Sequence, residues 1–260
     1  MSGVSAPRQM AVVVQDREVA QRLPRGAGLR RFAHPTKDLL ERYRDVFVAV
    51  PLLGLPALAD FIRQANNRHY LRALFVRDEG GSQLLPQLLA QANLRTVRNL
   101  MVHSDAELPA RVLNAYRLGV EDELIAYARL VRDQLFVITC AGEVLTLTVA
   151  QVPRLKDLGP DALAVFEVAE DGSYLHWPAA DLHMDVESVR ALLDPARRAQ
   201  QQMERVLTDR QLGTVVAALR REHGLTQAGI PGLSEREVRR IERGQRARMR
   251  SLGHLAAAHG

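Results

Sequence analysis

The stretch that decides the reading runs from Leu219 to Gly244, LRREHGLTQAGIPGLSEREVRRIERG. Within it, Ser234 followed three residues later by Glu237 is the pattern of a capping box, so a helix is expected to begin there. At 100° per residue, Val238 and Ile241 fall on one side of that helix, and Arg236, Arg239, Arg240 and Arg243 on the other. The result is a small apolar foot for packing beneath an outward arginine stripe. Leu233, just before the cap, is placed to staple the first turn. Upstream, Gly213 to His223 reads as a second amphipathic helix, with Val216, Leu219 and Val215 inward and Gly224 as its stop. Thr226 is set to cap a very short helix, Gln227 to Ile230, which Pro231-Gly232 ends. A helix, a short helix, a tight turn and a basic-faced helix, in that order, describe a helix-turn-helix.

GLTQ at 224–227, LSEREVRRIERG at 233–244 and the trailing LGHLAAAHG together resemble the Cro/repressor-type (XRE) helix-turn-helix family. The resemblance covers residues 208–260, about a fifth of the chain. It implies that Gln227 donates to a DNA phosphate and that Ser234, Glu235, Arg236 and Arg240 face base edges in the major groove. It further implies a buried ion pair between Arg220 and Glu242, tying the first helix of the motif to the third. Between Gln227 and Glu242 the chain is about three residues shorter than the usual family pattern, and it stops directly after the fourth helix, where many relatives carry a fifth.

Charge supports a division of the chain. Residues 196–260 hold thirteen arginines, no lysine and six carboxylates, a net of +7, while residues 1–195 hold 22 basic and 24 acidic side chains, a net of −2. The basic balance therefore belongs to one end, as expected of a module that binds a polyanion. Arginine outnumbers lysine 33 to 2 throughout, which a GC-rich genome explains better than selection for forked phosphate contacts. An apolar content of 47% and a charged content of 25% are those of a soluble globular protein, and 260 residues suffice for more than one core. No apolar run reaches the length of a membrane span, and Gln15 and Asp16 break the only candidate for a leader. A single cysteine, Cys140, fits a reducing compartment, so a cytoplasmic, nucleoid-associated location is expected.

The fold class expected is a multidomain α+β protein. Residues 1–37 read as an arm or linker: Arg8, Arg17, Arg22, Arg25, Arg30 and Arg31 alternate with Pro24, Gly26 and Gly28, around one possible short strand at Met10 to Val14. Residues 38–123 alternate strand-like and helical runs (Val46 to Val50, Leu55 to Ala65, Leu71 to Val76, Gln83 to Ala92, Leu100 to His103, Glu107 to Tyr116), an α/β or helical region. VFVAVPLLGL within it reads equally as a strand or as a buried helix broken at Pro51. DEGG at 78–81 is a turn, because no Lys-Ser/Thr follows it. Residues 124–195 read as a small α+β domain: a three-stranded meander (Ile125 to Val131, Gln134 to Cys140, Glu143 to Val149), a hairpin around Glu170-Asp171-Gly172, and a helix from Asp185 to Leu193. Its FEVAEDGSYLHWPAADLHMDVESVRALLDP string resembles a small bacterial domain of unknown function that is sometimes fused to a Cro-type helix-turn-helix. Residues 196–209 are a helical connector whose Met203, Val206 and Leu207 form a thin stripe suited to a partner copy, and residues 210–260 are the DNA-binding domain.

Chemistry-bearing clusters are few. His176, Asp181, His183 and Asp185 are imidazole and carboxylate types that suit Zn²⁺, Mn²⁺ or Fe²⁺. The competing account makes them caps and loop bonds for the helix that follows, with Asp185 at its N-terminus. His103-Ser104-Asp105 contains catalytic-triad residue types, but consecutive side chains diverge, and Ser104 or Asp105 is better read as a helix cap. Cys140 inside an apolar strand behaves as a small hydrophobe, and Trp177 reads as a buried anchor before it reads as a stacking platform. With no phosphate-binding loop and no paired carboxylates at a useful spacing, a non-enzyme without a cofactor is expected.

The function this points to is a transcriptional regulator that reads a two-fold site on double-stranded DNA as a homodimer. Arg236 and Arg240 would meet guanine edges and Glu235 a cytosine amine, while Arg239, Arg243, Arg246, Arg248 and Arg250 would neutralise phosphates. Residues 38–195 would supply a dimer interface, a small-molecule sensor or a grip on a protein partner. Two alternatives follow from the same residues. One is an architectural or antitoxin-like DNA-binding protein whose body holds a protein partner, and the other is a metal-dependent enzyme centred on His176 to Asp185.

Overall fold

Strands buried on both faces need apolar side chains at every position, and the N-terminal runs such as DVFVAVP are of this kind. The computed structural model describes residues 9–24, 28–78, 80, 82–247 and 249–259. Its elements begin β1 (Met10–Val14), α1 (Arg17–Arg22), β2 (Leu29–Phe32), α2 (Leu39–Arg42), β3 (Asp45–Pro51), α3 (Leu55–Asn67), β4 (Leu71–Arg77), α4 (Leu85–Gln91), β5 (Leu100–His103) and α5 (Glu107–Leu118). The five strands form one parallel sheet in the order β2-β1-β3-β4-β5. Alternate residues of each strand serve opposite faces. Ala11, Val13, Val46, Val48 and Val50 pack with Leu55, Leu58 and Ile62 of α3. Met10, Val12, Phe47, Ala49 and Phe75 pack with Val19 of α1 and with Val112, Leu113 and Tyr116 of α5.

This part of the chain corrects one expectation and decides an open one. The possible strand at Met10 to Val14 is present as β1, but the segment around it is no arm: β1 pairs on both sides, to β2 and to β3. Its arginines mask this, because Arg31 does structural work: its guanidinium donates to the carbonyls of Ala20, Leu23 and Pro24 (3.1, 2.8 and 3.0 Å) and so closes the end of α1. Arg8, Arg25 and Gly26 lie outside the described residues. VFVAVPLLGL is a strand followed by a 3₁₀ turn, Leu52–Gly54, and not a broken helix.

The chain continues through β6 (Ile125–Val131), β7 (Gln134–Thr139), β8 (Val144–Thr148), α6 (Pro160–Ala164), β9 (Glu167–Val168), β10 (Leu175–Trp177), β11 (Leu182–Met184) and α7 (Val186–Leu193). The meander β6-β7-β8 and the sheet β11-β10-β9 are antiparallel. They were expected to form a separate core after residue 123, and they do not. Leu124, Ala126 and Cys140 pack into the same cluster as α1 and α5. Arg111 of α5 donates to the carbonyls of Ala126 (2.8 Å) and Glu170 (3.0 Å), and the Ile125 N–H donates to Gly172 O at 2.7 Å. All three sheets belong to one compact unit, Met1–Val189.

The second unit, Arg190–Gly260, contains α8 (Pro195–Glu222), a 3₁₀ turn at Gln227–Gly229, α9 (Glu235–Glu242) and α10 (Met249–His259). The expected connector and the helix expected from Gly213 are one 28-residue helix, capped where the Asp194 carboxylate accepts from Ala196 N. Gly213 does not interrupt it, because helical backbone tolerates glycine and α9 needs the space: a Cβ there would lie 2.4 Å from Ile241 O and 2.9 Å from Glu242 O. Val216 is buried with Ile230, Val238, Ile241 and Leu255, but Val215 and Leu219 face solvent, contrary to expectation. Thr226 makes no side-chain cap, and the expected short helix is the 3₁₀ turn alone. Among the described residues no helix is long and apolar enough to cross a membrane.

Gly213→Ala gains up to about 1 kcal/mol of helix propensity but forces backbone apart at the α8–α9 crossing, an overpacking cost of about 1–3 kcal/mol. The expected outcome is net destabilisation of the C-terminal unit, read as a lower denaturant midpoint at unchanged slope. Gly253→Ala, where a Cβ meets nothing within 4 Å, is the control and should be neutral or stabilising.

Candidate functional site

Helix α9 is eight residues long, too short to hold itself in water, so its position is set by what it buries. Val238 and Ile241 are fully buried, and Leu233 packs into the same cluster, as a staple requires. The Ser234 hydroxyl accepts from Glu237 N at 3.2 Å. The reciprocal half of the capping box is replaced: the Glu237 carboxylate takes the Ser251 hydroxyl of α10 at 2.6 Å.

Beneath α9 lies a shielded carboxylate. Glu242 accepts from Arg220 Nε at 2.5 Å and from its Nη2 at 3.3 Å, and the Gln227 amide donates to it at 2.5 Å. Arg220 also donates to Leu225 O at 2.8 Å, so α8, the 3₁₀ turn and α9 meet at one point. Both side chains of the pair are largely buried. Burial alone would push the Glu242 carboxyl up; the hydrogen bonds from Arg220 and Gln227 outweigh it and hold the group below its ordinary value.

The opposite face of α9 is exposed. Among the described residues Arg236, Arg240 and Arg243 have no hydrogen-bond or ion-pair partner, and Arg246 and Arg250 beyond the helix are likewise exposed. Arg239 lies back along the helix, paired with Glu235, with its Nε 3.5 Å from Gln227 Oε1. Ser234 and Glu235 are exposed at the start of the helix. Arg248 lies outside the described residues.

A second polar locus, with no local sequence signal, sits at the carboxyl ends of the parallel strands, where such sheets place ligands. A cleft of about 460 Å³ is lined by Gln15, Asp16, Glu18, Pro51, Arg77 and Ser104, among others. Asp16 caps α1 through Glu18 N and Val19 N (2.9 and 3.1 Å) and takes Arg77 Nη1 at 3.2 Å, while Arg77 Nη2 reaches Glu18 at 2.5 Å. Arg77 in the cleft is thus paired with two of the chain's own carboxylates. His103 is buried beside it: its Nδ1 lies 2.5 Å from Asp105 O, and its Nε2 has no partner among the described residues. Burial lowers its pKa, against the opposing pull of the Asp105 carbonyl and the Asp16 charge. Ser104 and Asp105 form no triad with it; the Asp105 carboxylate instead accepts from Glu107 N and Leu108 N (2.7 and 3.3 Å) at the start of α5.

Of the expected metal-ligand types, three come together and one does not. The donor atoms of His176, Asp181 and His183 lie within 4.8 Å of one another. Asp185 is engaged elsewhere, accepting from Ser188 N at 2.7 Å at the start of α7. Cys140 is fully buried, and burial pushes its thiol up to about 12. Trp177 is also buried, stacked on Phe166 and donating to Leu163 O at 3.2 Å.

Residues 128–194 match a family described as a protein of unknown function (DUF2442). The matched span runs from within β6 to the end of α7 and takes in the three clustered side chains. No curated protein and no solved structure gives a match.

Glu242→Gln leaves the Arg220 guanidinium without its counter-charge in a mostly desolvated place, at a cost of about 3 kcal/mol in denaturant titrations; Arg220→Met with Glu242→Leu should recover most of it. In the parent chain the pair's contribution is complete above 4.5, the ordinary glutamate value, and is lost as pH falls from there towards the lower folded value. His103 acts at a different pH. A histidine whose folded pKa is depressed favours folding fully above its unfolded value of 6.5 and loses that contribution as pH falls below it. The thermal midpoint of the N-terminal unit should therefore drop between neutral pH and about 5, with a shallower drop in His103→Gln.

Proposed function

We propose that residues 210–260 bind double-stranded DNA as a Cro/repressor-type helix-turn-helix, with α9 in the major groove, and that the protein is a transcriptional regulator acting as a homodimer. The observation that carries this reading is the two-sidedness of α9. Arg236, Arg240 and Arg243 project from one side, and the other is fastened by Val238, Ile241 and the Arg220–Glu242–Gln227 junction.

A guanidinium forms two parallel hydrogen bonds to guanine O6 and N7, so Arg236 and Arg240 are the base-reading candidates, and Glu235 can accept from cytosine N4. Arg239, Arg243, Arg246 and Arg250 neutralise phosphates and release counterions. Gln227 uses one amide N–H on Glu242, which leaves the second for a phosphate oxygen. One module reads few base pairs, so a pair of chains is required for a selective site. Met203, Val206 and Leu207, all exposed on α8, supply an apolar strip for such pairing.

The test is selection of bound sequences from random duplexes, followed by titration of Arg236→Ala/Arg240→Ala against the selected site and a scrambled one. Loss of two bidentate contacts at about 1–3 kcal/mol each predicts a weakening of about thirtyfold or more on the selected site and much less on the scrambled one. Equal loss on both would remove the base-reading role. Absence of duplex binding by the parent chain at low salt would remove the proposal altogether. Arg250→Ala should weaken both duplexes alike and lower the salt slope by about one.

A further inference from the structure

The sheet β11-β10-β9 carries an ordered polar row on one face. Antiparallel register sets Glu167 of β9 opposite His176 of β10, and His176 opposite His183 of β11. The flanking positions of the same strands, Leu175, Trp177 and Met184, point the other way and are buried. Strand alternation thus anchors the hairpin by its apolar face and holds both imidazoles on the other. Their rings are stacked, 4.3 Å between centroids and 11° from parallel.

Asp181 joins this row from the turn between β10 and β11. Its backbone is left-handed (φ 45°, ψ 48°), a conformation aspartate tolerates, and Arg154 Nη1 holds the Asp181 carbonyl at 3.0 Å. The donor atoms of His176, Asp181 and His183 lie within 4.8 Å of one another. Tetrahedral coordination at about 2.0–2.1 Å sets donors about 3.3 Å apart, and imidazole lone pairs lie in the ring planes, so binding draws the donors together and turns the two rings out of their stack. A second observation points the same way. His176 Nδ1 lies 3.2 Å from Glu167 Oε1, which engages one ring nitrogen and leaves Nε2 as the donor for an ion, the carboxylate–histidine arrangement that orients metal ligands.

We infer that His176, His183 and Asp181 form a binding site for a late first-row divalent cation of the zinc type. Two imidazoles and one carboxylate are borderline-soft nitrogen and hard oxygen donors, which suit zinc and disfavour calcium or magnesium. The bound ion joins β10, β11 and the turn between them, and solvent completes its coordination. Glu167 is a positioning residue acting through His176.

The test titrates full-length protein with Zn²⁺ against a chromophoric chelator. One ion per chain is expected. His183→Ala should lower affinity by about a hundredfold or more, and Glu167→Gln by about tenfold. Asp185→Asn, whose carboxylate caps α7, should bind as the parent does. His183 is exposed, so its removal leaves the apolar anchor intact, and circular dichroism checks this. Nitrogen-15 spectra of the unsubstituted protein give an independent readout: Zn²⁺ should shift the imidazole nitrogens of His176 and His183. No binding at micromolar Zn²⁺, wild-type affinity in His183→Ala, or unmoved signals from these two rings would each overturn the inference.

Discussion

The C-terminal unit depends on the neutralisation of one carboxylate. Glu242 is the last residue of α9, mostly shielded from solvent, and an isolated charge there would be strongly unfavourable. Arg220 and Gln227 both converge on it, from α8 and from the 3₁₀ turn. The geometry matters more than the net energy, since a buried pair adds little over apolar packing. What the pair supplies is uniqueness: only one mutual placement of the three segments satisfies it. That placement lets a helix of eight residues hold several like charges on its outer side. Glu235 and Glu237 in its first turn ease the repulsion and match the helix dipole.

Sequence legibility follows the distance over which each constraint acts. The Ser234 cap and the Val238–Ile241 foot are local patterns and were readable residue by residue. The junction beneath them was readable only in part: the Arg220–Glu242 pair came through a family resemblance, while nothing in the chain pointed to Gln227 as a third member. The meander was legible because its strands alternate, as in Gln134–Thr139, where Leu135 and Val137 are buried. The parallel sheet was less so, since strands covered on both faces lose that alternation. β1 was legible as a short strand, but its place inside the sheet was masked by the arginines around it, of which Arg31 holds backbone carbonyls. The continuity of α8 was obscured by Gly213, which reads as a start and is instead the gap that another helix fills.

The polar locus at the strand ends was invisible for a different reason. Asp16 and Arg77 are 61 positions apart, and only the pairing of β1 and β4 with β3 brings them to the same edge. The histidine cluster lies between these extremes. Residue type alone nominated His176, Asp181 and His183; β10 and β11 are three residues each, too short for alternation to place the imidazoles on one face, and Asp181 depends on a turn. The span matched by DUF2442 starts inside a strand of the meander, and its first sheet takes packing partners from α5, which precedes it. In this chain the matched segment is therefore part of a larger core.

Cys140 gives that core a property of practical use. It is the chain's only thiol, fully enclosed where the meander meets α5 and the parallel sheet, and far too weakly acidic there to react as a thiolate. A thiol-directed reagent can modify it only when that junction opens. The rate of labelling in the unaltered protein then measures how often the N-terminal unit breathes, and a cysteine introduced on the surface would carry a probe alone.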